Sequence, residues 1–358
     1  MSQLDKCQIC THATKSLAYT AFDVRWIPNS PRFVILGQLP RGSGILEVCQ
    51  LQNGSIVKQQ EIEKPHAFKC ATFGASSLTT RHLATGDFGG RLSMWDLERT
   101  EMPIYSAVAH SEIVNCIDGC GGIGIQAGPP ELVTGSRDGS VKVWDIRQRD
   151  KPVAKIAPAE GEPIIDTWTV AFGNSYNDEE RSVCAGYENG DVKMFDLRAM
   201  KVLWETNLKN GVCSVEFDRR DIKMNKLVVA GLESKIHVFD LKTHHPKEGF
   251  ASVTQKSTET TTIWTVRHLP QNRDVFMTSG GSGDINLYRY KYPERRSAKN
   301  KDDQDVGVPG TVELLQHAQV AEQPVAAFDW SPDKLGLYVF AGFDQSVRVG
   351  FVSKLSQY

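Results

Sequence analysis

Residues 132–147 read LVTGSRDGSVKVWDIR, and weaker copies of this stretch recur along the whole chain. The better copies are ATGDFGGRLSMWDL at 84–97, AGYENGDVKMFDLR at 185–198 and VAGLESKIHVFDL at 229–241. Copies at 278–290 and 341–354 lose the Trp-Asp pair, and a diverged first copy lies at 42–51. The residue after the aromatic position falls at 50, 96, 145, 196, 240, 289 and 351. Seven copies at this spacing predict an all-β, seven-bladed β-propeller.

Length and composition limit what else the chain can be. Seven blades use nearly all of the 358 residues, so we predict a single domain over 1–358. The 41 basic and 43 acidic residues nearly cancel, whereas nucleic-acid-binding domains usually carry a basic excess. No apolar run has membrane-spanning length, and the first residues, MSQLDKCQIC, lack the apolar core of a signal peptide. We expect a cytoplasmic monomer that binds neither nucleic acid nor membranes.

The third repeat shows how one repeat makes one blade of four antiparallel strands. The strands, called a to d in chain order, are predicted at 113–118, 131–134, 140–146 and 152–156. Val141 and Val143 alternate with Lys142 and Trp144, which is the period of two expected of a strand. The Arg-Asp-Gly at 137–139 is predicted to form the tight turn between strands b and c, because glycine tolerates the backbone angles of such turns.

The repeat resembles the WD-repeat family, and the resemblance covers the whole chain. Blades of that family often hold a hydrogen-bonded tetrad of Trp, Ser or Thr, His and Asp, in which the buried indole N–H finds its acceptor. The resemblance implies a structural tetrad in blade three, made of His110, Thr134, Asp138 and Trp144. Other residues occupy the Trp position in blades four, five and seven, namely Phe195, Phe239 and Gly350. We expect those blades to rely on packing.

The two chain ends are predicted to share blade seven. The chain stops at Tyr358, just after strand c of that blade, which leaves no residues for its strand d. Propellers commonly close their ring by pairing strands from both ends of the chain. We predict that residues 1–16 supply the closing strand.

One long insertion interrupts blade six. Residues 292–310 read YPERRSAKNKDDQDVGVPG, a charged segment with glycine and proline that has little apolar surface to bury. We predict a mobile loop between strands c and d, on the bottom face of the ring.

The sequence offers little support for a metal, a cofactor or catalysis. Cys7 and Cys10, with His12 nearby, look like half a zinc site, but no second pair completes it. GCGGIG at 119–124 is formally a dinucleotide fingerprint, yet prolines follow it and no helical periodicity appears. Motifs of hydrolases, metalloproteases and phosphate-binding loops are lacking. We therefore predict no metal, no cofactor and no enzymatic activity.

A candidate partner-binding surface lies on the narrow top face, where the b–c turns rim the channel. Exposed aromatic and arginine side chains on rigidly held loops are common in protein recognition. The predicted binding residues at these turns are Phe88, Arg137, Tyr187, Leu232 and Phe343. Trp168 and Trp264, at the start of strand a, point toward the same face, with packing between blades as the alternative. At a deeper position of strand a, core residues are expected, namely Trp26, Phe73, Phe172, Phe217 and Trp330.

A closer resemblance is to the Monad-like group of seven-bladed WD-repeat proteins. It is carried by LATGDFGG at 83–90, EFDRRDIKMNKLV at 216–228, VRHLPQNR at 266–273 and DWSPDKLGL at 329–337. The resemblance implies an adaptor of a co-chaperone assembly that contains RuvB-like ATPases, a tetratricopeptide co-chaperone and prefoldin-like subunits. It also implies cytoplasmic preassembly of axonemal dynein arms, with dynein chains as clients, and a link to apoptosis.

Two other classes of function stay open at this point. The Trp-Asp-Ile-Arg at 144–147 resembles the box by which substrate receptors of cullin ubiquitin ligases contact their linker protein. The contacts would be Arg147 and, in the near copy at 195–198, Arg198, both on the bottom face. A hydrolase whose acidic residues converge at the channel is the third class, because such a site needs no local motif.

Overall fold

Seven four-stranded antiparallel sheets surround a central channel in the computed structural model, which describes residues 6–122, 128–148, 151–177 and 179–358. Each innermost strand contacts the innermost strand of the next blade, and that of blade seven contacts that of blade one. The seven-bladed propeller predicted from the repeats is therefore confirmed. We call the face with the b–c and d–a connections the top face, and the opposite face the bottom face.

The strands of the first three blades follow the repeats closely. Blade one contains β2 (Thr20–Trp26), β3 (Arg32–Gln38), β4 (Gly44–Gln52) and β5 (Ser55–Lys64). Blade two contains β6 (Phe68–Thr72), β7 (Leu83–Asp87), β8 (Arg91–Trp95) and β9 (Tyr105–Val108). Blade three contains β10 (Val114–Cys120), β11 (Glu131–Ser136), β12 (Val141–Asp145) and β13 (Ala154–Ile156). The observed strands of blade three overlap all four predicted ones.

The later blades repeat this order, and the last one is completed by the first strand of the chain. Blade four contains β14 (Thr167–Gly173), β15 (Ser182–Tyr187), β16 (Asp191–Asp196) and β17 (Lys201–Asn207). Blade five contains β18 (Val212–Phe217), β19 (Lys226–Gly231), β20 (Lys235–His245) and β21 (Gly249–Lys256). Blade six contains β22 (Ile263–Leu269), β23 (Asn272–Gly280), β24 (Asp284–Lys291) and β27 (Thr311–Gln319). Blade seven contains β28 (Val325–Trp330), β29 (Leu337–Gly342), β30 (Ser346–Ser353) and β1 (Gln8–Ser16).

The core lies between neighbouring sheets, because each sheet buries apolar side chains on both faces. In blade three, Val141 and Val143 are buried against blade four, and Trp144 is buried against blade two. The aromatic residues expected in the core are all buried, which confirms that prediction: Trp26, Phe73, Phe172, Phe217 and Trp330.

The closing strand is confirmed. β1 pairs antiparallel with β30, from Gln8 opposite Ser353 to Ser16 opposite Ser346. Strands from the two ends of the chain therefore hold one blade together, and this outermost pairing removes the need for a separate strand d.

Blade seven fills its missing Trp position from the neighbouring strand. Gly350 lies opposite Tyr338, and a Cβ at Gly350 would collide with the Tyr338 ring and with the carbonyl oxygen of Cys10. The Tyr338 hydroxyl donates a hydrogen bond to that same oxygen, at 3.3 Å. A buried tyrosine therefore replaces the tryptophan. It also forms a hydrogen bond to the closing strand, whereas the sequence predicted packing alone.

The insertion in blade six forms a hairpin and reaches blade five. Its strands are β25 (Ser297–Lys299) and β26 (Asp305–Gly307). Just before them, Arg296 donates from Nε and Nη2 to the carboxylate of Asp240, at 2.7 and 2.5 Å, and from Nη1 to the side chain of Asn225. Asp240 is only 1% exposed, so the ion pair links two blades at a buried point. That residues 292–310 are mobile stays a prediction.

The glycine-rich loop of blade three packs closely against blade two. A Cβ at Gly119 would collide with the backbone at Gly74 and Ala75, and one at Gly122 would collide with Ser76. Gly122 also donates its N–H to the carbonyl oxygen of Gly74, at 3.1 Å. The end of the GCGGIG stretch lies outside the described residues. The described glycines are explained by close backbone approach.

Deleting residues 1–15 should destabilise the whole ring, because β30 loses its outer partner and becomes an unpaired edge. We expect the melting temperature to fall by roughly 10 °C. A synthetic peptide of residues 6–16, added in excess, should restore it in a concentration-dependent way. Circular dichroism melts measure both effects, and an unchanged melting temperature after the deletion would contradict the role of β1.

Replacing Arg296 by alanine should leave the buried carboxylate of Asp240 without its ion-pair partner. We expect a loss of about 2 to 4 kcal/mol in the free energy of unfolding, measured by urea denaturation. Arg295→Ala, at an exposed neighbouring position, is the matched control and should change the free energy by less than about 0.5 kcal/mol. Equal effects of the two substitutions would show that the link between blades five and six is not stabilising.

Candidate protein-binding site at the channel mouth

All seven innermost strands carry a β-bulge near their top end. In each strand the register shifts by one residue at the same place. A bulge re-aims the side chain of its extra residue. The bulged residues are Phe22, Lys69, Asn115, Trp168, Cys213, Trp264 and Ala326. All seven are partly exposed and line the channel at its top end, where they form a ring that we call the mouth.

Below the mouth, the alternation of the strands places two more layers of seven side chains in the channel. The middle layer consists of Asp23, Cys70, Cys116, Thr169, Ser214, Thr265 and Ala327. The lower layer, near the bottom face, consists of Arg25, Thr72, Asp118, Ala171, Glu216, Arg267 and Asp329. The channel encloses a cavity of about 660 Å³. Its mouth is rich in aromatic side chains and its lower layer is rich in charge.

Aromatic pairs border the mouth on two sides. The rings of Phe22 and Phe88 lie 5.2 Å apart, with the Lys69 ammonium 5.0 Å from the Phe22 ring. Across blade seven, the rings of Trp264 and Phe343 lie 6.4 Å apart at a steep angle. Phe343 is 41% exposed, so this part of the mouth presents apolar surface to solvent.

A repeated backbone hydrogen bond identifies the residue at the b–c tip in blades two to seven. The tip N–H donates to the carbonyl oxygen of the residue before strand a, as in Arg137 to Ile113 at 3.1 Å. The tips defined in this way are Phe88, Arg137, Glu188, Leu232, Gly281 and Phe343. Of the predicted binding residues at b–c turns, four therefore occupy tips. Leu232 also lines the channel.

The prediction for Tyr187 is wrong. The tip of blade four is the next residue, Glu188, which is exposed. Tyr187 is the last residue of β15 and is only 9% exposed, packed in the core cluster between blades three and four. A shift of one residue moves a strand side chain to the opposite face, and this explains the error.

Trp168 lies in an acidic part of the mouth. Its ring rests on Gly211 of blade five, since a Cβ there would collide with the indole. Burial and the carboxylate of Glu188 raise the pKa of Asp166, and Glu112 acts in the same direction. Arg137, whose Nε lies 3.8 Å from Asp166 Oδ2, opposes them, as does a hydrogen bond from Trp168. Burial of Asp166 and the carboxylates of Glu188 and Glu112 together outweigh the single arginine at this point.

The charges of the lower layer are paired with one another. Arg25 donates from Nε to Asp23, at 3.2 Å, and its Nη1 lies 3.9 Å from Asp329. Arg220, from the a–b loop of blade five, donates to Asp118 at 2.6 Å. Arg267 Nη1 lies 3.9 Å from Glu216.

These carboxylates also join successive blades. Asp329, Asp23, Asp118 and Glu216 accept backbone N–H groups of the next blade from Trp26, Ala71, Phe172 and His268, at 2.8 to 3.1 Å. Thr169 and Ser214 in the middle layer do the same for Val215 and Val266. The acidic groups that converge at the channel therefore satisfy the backbone between blades, which is a structural role.

Glu216 is the channel carboxylate with the most perturbed ionisation. Burial raises its pKa to about 7, although Arg267 and Arg220 oppose the shift. The cause is that removing a carboxylate from water penalises its charged form. The Glu216 side chain is still 23% exposed to channel water, so the cost of its burial to the free energy of unfolding is moderate.

The four residues of the expected tetrad form one chain of hydrogen bonds in blade three. Trp144 Nε1 donates to Thr134 Oγ1 at 2.9 Å, and His110 bridges Thr134 Oγ1 and Asp138 Oδ2 at 2.8 and 3.1 Å. Burial lowers the pKa of His110, although the bond to Asp138 opposes this. Blade two, which the sequence did not single out, makes the same first bond from Trp95 to Thr85, at 2.9 Å.

The two arginines of the alternative bottom-face site lie at the ends of strand c. Arg147 is 63% exposed at its side chain, and Asp145 fixes its guanidinium through bonds at 2.9 and 2.7 Å. Arg198 is exposed, and its backbone N–H donates to Asp196 at 2.8 Å. The two arginines belong to neighbouring blades.

In the described ranges, no three His, Cys, Asp or Glu side chains come together as a metal site would require. Cys7 is buried beside β1, Cys10 belongs to β1, and all eight cysteines are free thiols. No helix in the described part of the chain has the length and apolarity that a membrane crossing requires.

Comparison with known proteins gives matches along the whole chain. The family model described as WD domain, G-beta repeat, matches residues 102–145, and that of the Nucleolar protein 10-like N-terminal domain matches residues 129–288. A Xenopus tropicalis protein named Dynein axonemal assembly factor 10 is 60% identical over 356 residues, 99% of each chain. Proteins of the same name from Homo sapiens and Chlamydomonas reinhardtii are 56% and 55% identical over 357 residues, 100% of each chain. This chain belongs to the dynein axonemal assembly factor 10 family. The WD-repeat resemblance is confirmed.

In this member of the family, the sequence predicted only some of the residues that form the mouth. Trp168 and Trp264 were placed there, and both belong to the ring of bulged residues. Phe22 and Cys213 were missed, because a bulge breaks the alternation that the sequence pattern assumes. Glu188 was not among the predicted binding residues, and alignment of the glycines that follow the tips would have placed it at the tip of blade four.

Replacing Glu216 by glutamine should change how the stability of the protein depends on pH. Because the folded-state pKa of about 7 exceeds the ordinary value of 4.5, stability from this group is present below pH 4.5 and lost as the pH rises to 7. Between pH 5 and 8, wild type should lose on the order of 1 to 3 kcal/mol relative to Glu216→Gln, measured by urea unfolding. Glu205→Gln, on an exposed side chain, is the control. Parallel pH profiles for wild type and Glu216→Gln would refute this assignment.

Proposed function

We propose that this protein is a non-enzymatic scaffold that aids the assembly of axonemal dynein arms and docks its partners on the top face. The observation that carries the proposal is the ring of seven bulges, which turns aromatic side chains toward solvent at the mouth. The name of its relatives, Dynein axonemal assembly factor 10, supports the biological setting. Rigid strands hold the ring, so binding requires little ordering of the site.

The docking surface consists of the mouth and the tips around it. We assign partner contacts to Trp168 and Trp264 in the mouth and to Phe88, Arg137, Leu232 and Phe343 at the tips. Aromatic and arginine side chains contribute most of the binding energy in many interfaces. Tyr187 does not belong to this surface because it is buried.

The partners we propose are those of a co-chaperone adaptor. They are an assembly of RuvB-like ATPases, a tetratricopeptide co-chaperone and prefoldin-like subunits, with axonemal dynein chains as clients in the cytoplasm. The resemblance to the Monad-like group supports this assignment. The paired charges of the lower layer support a non-enzymatic role, since each carboxylate there is engaged in holding the ring.

A second candidate function uses the bottom face. The exposed guanidinium of Arg147, held in one orientation by Asp145, is suited to contact the linker protein of a cullin ubiquitin ligase. Arg198 in the next blade would extend that contact.

Affinity capture from ciliated-cell cytosol with mass spectrometry tests the two functions together. Wild type should recover RuvB-like ATPases and dynein heavy chains, and Phe88→Ala combined with Phe343→Ala should reduce this recovery at least about tenfold. Phe351→Ala is the matched control, because Phe351 is as exposed as Phe343, at 41%, but lies in β30 away from the mouth. Recovery of a cullin and its linker, abolished by Arg147→Ala, would replace the scaffold proposal by the receptor.

A further inference from the structure

The side chains around the mouth differ in size and charge, and these differences indicate the kind of segment that it binds. Two positions in the ring carry small side chains, Cys213 in blade five and Ala326 in blade seven. The gap at Cys213 has Trp168 on one side and Trp264 on the other, with Leu232 at the tip of its blade. Leu232 is well exposed, so this gap is an apolar recess open at the top face.

Negative charge borders this recess on the side of Trp168. The carboxylates that act on Asp166 are Glu188 and Glu112, both exposed, and the one cation in contact with Asp166 is Arg137. On the far side of the mouth the charge has the opposite sign, since Lys69 lies over Phe22. The recess therefore has apolar sides, from Trp168, Trp264 and Leu232, and an acidic edge formed by blades three and four.

An indole next to three carboxylates and a single arginine is a suitable receptor for a cation. A guanidinium or ammonium over a tryptophan face gains a cation–π attraction, and nearby carboxylates add charge complementarity. The six-membered ring of Trp168 lies against Gly211, so the indole is held in place before any partner arrives. A large apolar side chain next to the cation would fill the recess at Cys213 and bury its surface.

We propose that the mouth binds an extended partner segment in which arginine or lysine stands next to a bulky apolar residue. The cation lies over Trp168 beside Asp166 and Glu188, and the apolar side chain enters the recess between Trp168 and Trp264. This inference rests on the proposed docking role of the top face and specifies the chemistry that this role requires of a partner.

Selection from a random dodecapeptide phage library on the purified full-length protein tests this specificity. The selected peptides should be enriched in Arg or Lys adjacent to Leu, Ile, Met or Phe. Enrichment of acidic or uncharged motifs, or no enrichment over a surface without protein, would overturn the proposal. The most frequent peptide, labelled with fluorescein, then gives dissociation constants by anisotropy.

Four variants assign that peptide to the recess. Trp168→Ala should weaken its binding about tenfold or more, and Trp168→Phe should weaken it less, because a ring remains. Glu188→Lys should weaken it at least about threefold, whereas Glu179→Lys, an equal change of charge on an exposed loop of the bottom face, should not. Equal effects of the two lysine substitutions, or unchanged binding to Trp168→Ala with an unchanged melting temperature, would overturn the assignment.

The two proposals can fail separately. Basic apolar peptides that bind the mouth, together with cytosolic capture that recovers no dynein chains, would refute the proposed function alone. Capture of dynein chains through Phe88 and Phe343, together with no preference for basic peptides, would refute this inference alone.

Discussion

The pairing of β1 with β30 is the constraint on which the rest of the structure depends. A β-sheet edge offers unpaired N–H and C=O groups, and a ring of sheets is stable only when its first and last blades are joined. The bulged residues from Phe22 to Ala326 face one another because this pairing fixes seven blades around one axis. Without it they would be seven separate surface residues.

The side chains that line the channel change in character with depth. Its lower layer uses carboxylates and guanidinium groups in pairs, and the same carboxylates accept backbone N–H groups of the next blade. Its mouth instead presents Trp168, Trp264 and Phe22, whose apolar surface is not consumed by the fold. Buried polar groups that are fully partnered stabilise a structure, whereas exposed aromatic groups are available to other molecules. The fold thus uses the charges of the lower layer in its own structure and leaves the aromatic side chains of the mouth partly exposed.

The fold was predictable from the sequence because each copy of the repeat that contains Trp-Asp indicates two strands, the turn between them and one blade. The closing strand was expected because propellers commonly pair strands from both ends of the chain. The mouth was only partly predictable, since bulges at Phe22 and Cys213 leave no local signature and a one-residue shift misplaced Tyr187. The ion pair between Arg296 and Asp240 could not be predicted either, because the two residues are far apart in the chain. In addition, the segment that contains Arg296 has the composition of a loop.

The order in which the strands are synthesised makes the closure slow. β1 is among the first strands to leave the ribosome, whereas β30 follows more than 300 residues later. At translation rates of about 5 to 20 residues per second, β1 waits roughly 20 to 70 s for its partner. During that time it exposes an unpaired strand to the crowded nascent chain, a condition that favours aggregation. β1 is therefore the strand that waits longest for its partner before the ring can close.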